Sequence, residues 1–464
     1  MEENRQIQTL GQERVSKLLV KFSVPCVMGL LISAFYNIID QIFVGNSELG
    51  YWGNAATGVS FPVICIANAF AWCIGDGAAS FLSICAGRGD AEQAHKCVGT
   101  GITVTTAISV VLTVVGLLFA QPLMALFGAS ERTLDMAVEY FRIVVAFFPV
   151  YLLMNVMNSM IRADGSPAYA MLAMLAGAVI NIALDPLFIY VCKWGIAGAA
   201  WATVIGQSAS FAVCACYFRK PKTFRLQKDS FLPDRGVLGN VISLGGATLI
   251  TQLAIVAVSL VSNVTLAHYG ALSQYGQDIP ISVFSIQTKV YTVVCNIVTG
   301  VVLGGQPVFG YNYGAGNMHR VRQAYRLVLR VTLIVGICAV LLFELWPQGV
   351  IGIFGSGDAL YREFAVKTFR IYLSLTVVTC LVKMTAVFFQ SIGKAAHAMI
   401  ASLVRDIVCF VPLVLLLPAM MEKSQPGSGI NGILYAAPIS DAVALVVIIG
   451  LTVSFFRKTD KNEL

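Results

Sequence analysis

Of 464 residues, 57% are apolar and only 12% charged, and the mean hydropathy is +0.79. A water-soluble fold of this length cannot hide so much apolar surface, so lipid must be the solvent for most of the chain. The net charge of +7 is then a signal of topology, and nucleic-acid binding is not expected.

The N-terminus carries Glu2, Glu3, Arg5 and Glu13 ahead of the first apolar run, with no small-residue cleavage site after it, so it does not read as a cleaved signal peptide. Apolar runs then follow near 18–44, 55–84, 98–120, 136–160, 168–191 and 197–218. A basic stretch, 219–236, contains Pro221 and Pro233. Six further runs lie near 237–267, 280–305, 327–346, 365–390, 397–420 and 431–456. Helices of this length suit a bilayer core of about 30 Å. The predicted fold is an all-α integral membrane protein with twelve transmembrane helices. It divides into an N-terminal six-helix lobe (1–218), a basic cytoplasmic linker (219–236) and a C-terminal six-helix lobe (237–464).

The two lobes repeat one another at a separation of about 228 residues. LFGASERTLDMAVEYFRI (126–143) aligns with IFGSGDALYREFAVKTFRI (353–371), and ADGSPAYAMLAML (163–175) with SIGKAAHAMIASL (391–403). The latter pairing puts Gly165 on Gly393 and Met171 on Met399; nearby, Gly87 falls on Gly314 and Gly89 on Gly316. Many secondary transporters are built from such duplicated units, with the substrate path between the copies. Six spans per copy is an even number, so the copies insert in the same orientation, as a pseudo-two-fold repeat about an axis along the membrane normal.

Basic residues support the count. With both termini cytoplasmic, the inner segments hold twenty-one Lys and Arg and the outer loops only five: Arg132, Lys193, Arg362, Lys367 and Lys423. Catalytic chemistry is not visible. No GxxxxGK[ST] phosphate loop, His/Glu zinc pair or Ser nucleophile elbow occurs, so neither ATP hydrolysis nor another enzymatic activity is expected. The twelve cysteines sit almost entirely inside apolar runs without a CxxC pair, which fits membrane filler. His95, His268, His319 and His397 have no zinc spacing. No cofactor is expected, and energy must come from an ion gradient.

An ionisable residue deep in a span is expensive and marks function by default. In the first lobe, FYNIIDQIFVG puts Tyr36 and Asp40 on one helix face, and INIALDP does the same for Asn181 and Asp185. Pro186 has no N–H to give, so the Ile182 carbonyl loses its helical partner. Two carboxylates, an amide and a bare carbonyl make an oxygen-rich site for H⁺ or Na⁺. By the repeat offset, Asn181 falls on Cys409 and Asp185 on Leu413, so the acidic equipment is in one lobe only. The competing structural reading is that Asp40 caps a kink or is held to Asn181. Asn37 and Asn155 read as interhelical glue.

The second lobe carries Lys289, Lys383, Arg405 and Asp406 within apolar runs. Arg405 and Asp406 are neighbours, which on an α-helix do not share a face, so each is expected to need another partner. Lys289 is placed to neutralise Asp406 or to meet an anionic substrate group. Arg142 and Arg370 are repeat equivalents, which favours packing or snorkelling. Asp76 and Asp441 are weaker cavity candidates.

VPCVMGLLISAFYNIIDQIFVGN with ATGVSFPV, NSMIRADGSPAYAM, NIALDPLFI with GIAGAAWATVIGQ, and GGQPVFGYNYGAG together resemble the multidrug and toxic compound extrusion (MATE) family, from about residue 14 to 456. The DinF-type branch, with its acidic site in the first lobe, fits best. The resemblance implies two six-helix lobes around a central cleft, expelling amphipathic, usually cationic, compounds in exchange for H⁺ or Na⁺. It assigns cation coupling to Asp40, Asn181, Asp185 and Thr203, and a surrounding cavity to Tyr36, Tyr140 and Asn158. If the ion is Na⁺, its ligands are Asp40, Asn181 and Asp185. Two features depart from the family pattern: Asp76, where a small neutral residue is expected, and the basic cluster of the second lobe.

The expected function is secondary antiport of a small organic molecule by a monomer in the plasma membrane. The alternative is a lipid-linked precursor flippase, or an exporter of anionic metabolites, using the basic lobe. A major facilitator would resemble GxxxDRxGRR between spans two and three, where this chain reads AGRGDAEQAHK. A channel would pass current without exchange stoichiometry, and an intramembrane enzyme would need a nucleophile or metal set that the sequence does not show.

Overall fold

A computed structural model describes residues 10–127, 129, 133–225, 228–276, 278–353 and 359–462. Glu2, Glu3, Arg5, Arg132 and the rest of residues 130–132 and 354–358 of the repeated segment lie outside them. The first half runs through helices Val15–Gly45, Gly50–Arg88, Ala91–Leu118, Leu134–Ala146 with Phe148–Ala163, Pro167–Pro186, and Gly195–Tyr217. The second half runs through Arg235–Leu272, Asp278–Gly314, Met318–Leu345, Ala359–Tyr372 with Thr376–Ser391, Ala395–Leu403 extended by Val411–Ser424, and Gly429–Asn462. Among the described residues, ten helices are long and apolar enough to cross a membrane, and two bent pairs bring the number to twelve. The chain is an all-α, multi-pass membrane protein with six spans on either side of the linker.

The fourth and tenth spans, expected as single runs, are each broken, by 55° and 48°. In the fourth, Pro149 follows the break and supplies no N–H to continue the helix. The tenth has no proline there. Instead the Ser374 and Thr376 hydroxyls donate to the carbonyls of Ile371 and Leu373, at 2.8 and 2.7 Å, and share them with their own backbone amides in tight three-residue turns. The helices after the breaks, Phe148–Ala163 and Thr376–Ser391, are both 16 residues long and keep the repeat offset. The aligned glycines have a shared physical reason. Gly89 and Gly316 both have φ of 74°, and Gly165 and Gly393 have 75° and 81°, the left-handed region that ends a helix most cheaply without a Cβ.

One compact unit comprises Met1–Leu249, Leu303–Ala324 and Gln390–Ala395. Its core holds the fully buried Phe141, Phe148 and Phe224 among small residues of the second, third and fourth spans. Within it the linker lies along the first half. Asp164, just past the fourth span, accepts hydrogen bonds from the Tyr217 hydroxyl (2.5 Å) and from the amides of Lys222 (2.8 Å) and Thr223 (2.7 Å), and a further one from the Thr223 hydroxyl. Further along the linker, the Arg225 amide donates to His95 Nδ1 at 3.0 Å, and Thr103 donates to the Phe231 carbonyl at 2.9 Å. Arg320 holds the start of the chain by donating to the carbonyls of Leu10 (3.1 Å) and Glu13 (2.6 Å).

The other unit comprises Ile250–Val302, Tyr325–Phe389 and Ala396–Leu464. Phe343, Phe364, Phe369 and Leu373 form one core cluster in it. Tyr325, Phe388, Phe389, Phe455 and Phe456 stack into a second.

Candidate functional site

Spans five and six meet backbone to backbone. A Cβ on Gly177 would stand 2.0 Å from Ser210 Oγ and 2.6 Å from the Gly206 carbonyl, so only glycine allows this approach. The contact is tied by Ser210, which donates to the Ala173 carbonyl at 2.8 Å. One turn beyond the crossing, Asn181 comes against the sixth span, with its Cβ 2.9 Å from where a Cβ on Gly206 would lie. After Pro186 the fifth span changes to a π turn over Leu187–Val191. The Leu187 amide bonds the Leu184 carbonyl, so neither it nor Pro186 serves Ile182, as the sequence suggests.

This geometry gathers three of the predicted residues. Asn181 Nδ2 lies 3.5 Å from Asp185 Oδ1. The carboxyls of Asp40 and Asp185 lie near one another. Asp185 is 0% exposed and Asn181 2%. Asp40 Oδ1, Asn181 Oδ1 and Asp185 Oδ2 are buried with no hydrogen-bond partner among the described residues. An acceptor buried without a donor costs about 1–3 kcal/mol, more if charged, so the three together leave a place for a donor or a cation. The donor set is all oxygen, which fits H⁺ or Na⁺.

A second ring surrounds them. The Tyr140 hydroxyl reaches Thr203, whose own hydroxyl donates to the Ala199 carbonyl at 2.9 Å. Tyr36 and Tyr140 both lie near Asp40. The sequence reading did not single out Tyr151, which approaches Tyr36 and reaches Asn68. Its signal was only its place one turn before Asn155 on the fourth span. Asn37 and Asn155 do not bridge helices through their amide nitrogens; these donate to Ser33 (2.6 Å) and Tyr151 (3.0 Å), one turn back in their own helices.

Asn158 sits in another group. Its Oδ1 accepts from Arg162 Nη1 at 2.7 Å, and its Nδ2 donates to the Ala170 carbonyl at 3.0 Å. Arg162 also reaches Asp76 Oδ1 at 3.4 Å, and Ser159 donates to the same oxygen at 3.1 Å. Asp76 is thus paired with an arginine that the sequence places among the inner basic residues. Burying either without the other would be costly.

The second unit holds its own charged cluster. The eleventh span winds as a π-helix over Val404–Phe410. Arg405 Nε donates to Asp441 Oδ1 at 2.8 Å, and its Nη1 donates to Asp406 Oδ1 at 2.7 Å. Thr379 donates to the same Asp441 oxygen at 3.0 Å. The expectation that Arg405 and Asp406 cannot pair fails here. The wider π winding turns successive side chains through a smaller angle, and the long Arg fork reaches back to its neighbour. Lys383 lies near Cys295. Lys289 is exposed and has no partner among the described residues, so Asp406 is neutralised by Arg405 and not by Lys289.

Comparison with known proteins agrees with this architecture. The MatE family model matches residues 25–187 and 247–416. The chain is 23% identical over 449 residues to the multidrug export protein MepA of Staphylococcus aureus (strain MRSA252), covering 95% of this chain and 94% of that one. It is 25% identical over 362 residues to MepA of Staphylococcus haemolyticus (strain JCSC1435), covering 75% and 78%. It superposes with a TM-score of 0.87 and 25% identity, over 98% of both chains, on the outward-facing conformation of a multidrug resistance MATE family transporter of the MOP superfamily. The chain belongs to the multidrug and toxic compound extrusion family, and so is a membrane transporter and not an enzyme.

Proposed function

We propose that this protein is a secondary antiporter that exports amphipathic, cationic drugs or toxic organic compounds in exchange for H⁺ or Na⁺. The observation that carries the reading is the trio of buried oxygens without donors on Asp40, Asn181 and Asp185. Two carboxyls in mutual reach are stable only with a proton or a cation between them. Loading that ion removes the charge that orders spans one, five and six. The first span contains Pro25, which leaves the Lys21 carbonyl without its helical partner and gives the span a place to repack. Repacking on ion binding, with drug release on the opposite stroke, is alternating access with exchange. One charge moved inward across 100 mV is worth about 2.3 kcal/mol, or roughly 50-fold accumulation. If a monovalent cation leaves for each proton, that voltage contribution cancels.

Tyr36, Tyr140 and Asn158 from the first half, and Lys289, Lys383, Arg405 and Asp406 from the second, are proposed as cavity residues. The functional lobes follow the repeat, 1–218 and 237–464, in a plasma-membrane monomer with both termini cytoplasmic. No cofactor beyond the coupling ion enters this scheme. A flippase for lipid-linked precursors would want a broad positive cavity, but Arg405 is already neutralised by two carboxylates.

The test is ethidium efflux from proteoliposomes under imposed pH or Na⁺ gradients, comparing wild type with Asp40→Asn. Gradient-driven efflux that vanishes in the variant supports the reading, and the effective gradient names the ion. Efflux that survives Asp40→Asn removes the proposed coupling site.

A further inference from the structure

The eighth span, Asp278–Gly314, has a polar exposed face where other spans expose aliphatic side chains. Ser282, Ser285, Lys289 and Thr292 are all exposed and recur at i, i+3, i+7 and i+10, with Thr288 exposed beside them. The same line continues through the half-buried Asn296 and Thr299. The third span instead exposes Val110, Val111, Val114 and Val115, and the twelfth exposes Val443, Val446, Ile449 and Val453. Those are lipid-facing surfaces. On the opposite side of the eighth span, Val283 and Phe284 are buried in the apolar core of their unit.

Lys289 stands eleven residues in from Asp278, which at ~1.5 Å per residue is about 16 Å from that end of the helix. That is about halfway through a ~30 Å hydrocarbon core, too deep for a lysine stem to snorkel to either interface. A charged side chain there, on a row of hydroxyls and without a carboxylate partner among the described residues, has no favourable place in lipid. It must face water or solute. Arg405, another base of this unit, is not equivalent, because Asp441 and Asp406 already occupy two of its donor groups.

Resting on the transporter reading above, we propose that Lys289 is a specificity-determining residue. It recognises a carboxylate, sulfonate or phosphate on an amphipathic substrate, with the neighbouring Ser285, Thr288 and Thr292 hydroxyls as auxiliary donors. The substrate class then includes amphipaths that carry an anionic group, beside the purely cationic drugs. An ammonium–carboxylate contact is charge-assisted, and its loss weakens binding by about tenfold or more. Lys289 is exposed and makes no internal pair, so its replacement leaves no cavity and no orphaned charge.

The experiment is equilibrium binding of carboxyfluorescein to purified protein in a neutral detergent, followed by fluorescence anisotropy. It compares wild type with Lys289→Gln, Lys289→Glu and Lys289→Arg. Saturable binding that weakens about tenfold in Lys289→Gln, is lost in Lys289→Glu and is largely kept in Lys289→Arg supports the proposal. No saturable binding, or equal binding by wild type and Lys289→Gln, overturns it. Displacement by stoichiometric phosphatidylglycerol would name a lipid headgroup as the source of the anionic group, and retention in its presence would name a soluble compound. Asp40→Asn is run in parallel. Its failure to alter gradient-driven ethidium efflux would sink the coupling reading while leaving the binding result at Lys289 to stand or fall alone.

Discussion

Arg405 and Asp441, 36 positions apart in sequence, meet at 2.8 Å, and Asp441 is 1% exposed. The same guanidinium holds Asp406, so one cation is shared by two carboxylates of the second unit. Replacing Arg405 by Met strands both acids, and losing one partner of a buried pair costs about 3–5 kcal/mol. The thermal midpoint in detergent is expected to fall sharply in Arg405→Met. It should recover in the triple variant that adds Asp406→Asn and Asp441→Asn. Equal midpoints for the single and triple variants would show that the pairing carries no stability.

Asp164 is a buried acceptor for four donors from Tyr217, Lys222 and Thr223. Asp164→Ala leaves those donors without an acceptor, at a cost of about 3 kcal/mol or more, and frees the first part of the linker. Trypsin should then cut after Lys222 and Arg225 markedly faster than in wild type. Unchanged cleavage would show that the linker is held by its other contacts, such as those at His95 and Thr103.

Gly177 is where spans five and six touch. An added methyl group must push Ser210 or the Gly206 backbone aside, and overpacking of this kind costs about 1–3 kcal/mol. Because Asn181 and Asp185 ride on the same helix, Gly177→Ala should lower gradient-driven efflux more than expression. Ser210→Ala, added to Gly177→Ala, removes the nearest clash and should restore part of the rate. No rescue would place the defect elsewhere.

Asp234 accepts from the Gly236 and Val237 amides at 2.8 and 3.0 Å at the start of the seventh span. The Val237 amide, and then that of Gly236, hold its carboxyl below the usual carboxylate range. The cap is therefore at full strength above the unfolded value of about 3.9 and weakens as pH falls through the lower folded value. Hydrogen-exchange protection at Gly236 and Val237 should stay level from neutral pH down to about 5 and drop below about 4. Asp234→Ala should lower it throughout. Protection that is independent of pH in wild type would argue against the cap.

The twelve spans were legible because lipid demands long apolar runs and leaves basic residues at one face. The pairing of Asp40 with Asn181 and Asp185 was half legible. Helical spacing joins Asn181 to Asp185, but bringing the first span to the fifth is a matter of tertiary packing. The Arg405–Asp406 pair was misjudged because α-helical periodicity was assumed where the chain winds as a π-helix, and no residue between Val404 and Phe410 announces that change. The sequence reading placed Asn158 with the cavity tyrosines without showing that Arg162, one turn along the same helix, donates to its amide oxygen. A long cation at that spacing was the available clue. Asp164 went unnoticed because its partners lie more than 50 positions away, in a segment whose composition shows only positive charge.

The break shared by the fourth and tenth spans is held in two ways. Proline supports it in one copy and serine and threonine hydroxyls in the other, yet the helices that follow keep the same length and register. The bend itself, and not any one residue, is therefore what the two copies share. The fifth-span pair Asn181 and Asp185 has no such counterpart in the other half, where Cys409 and Leu413 stand at the matching places.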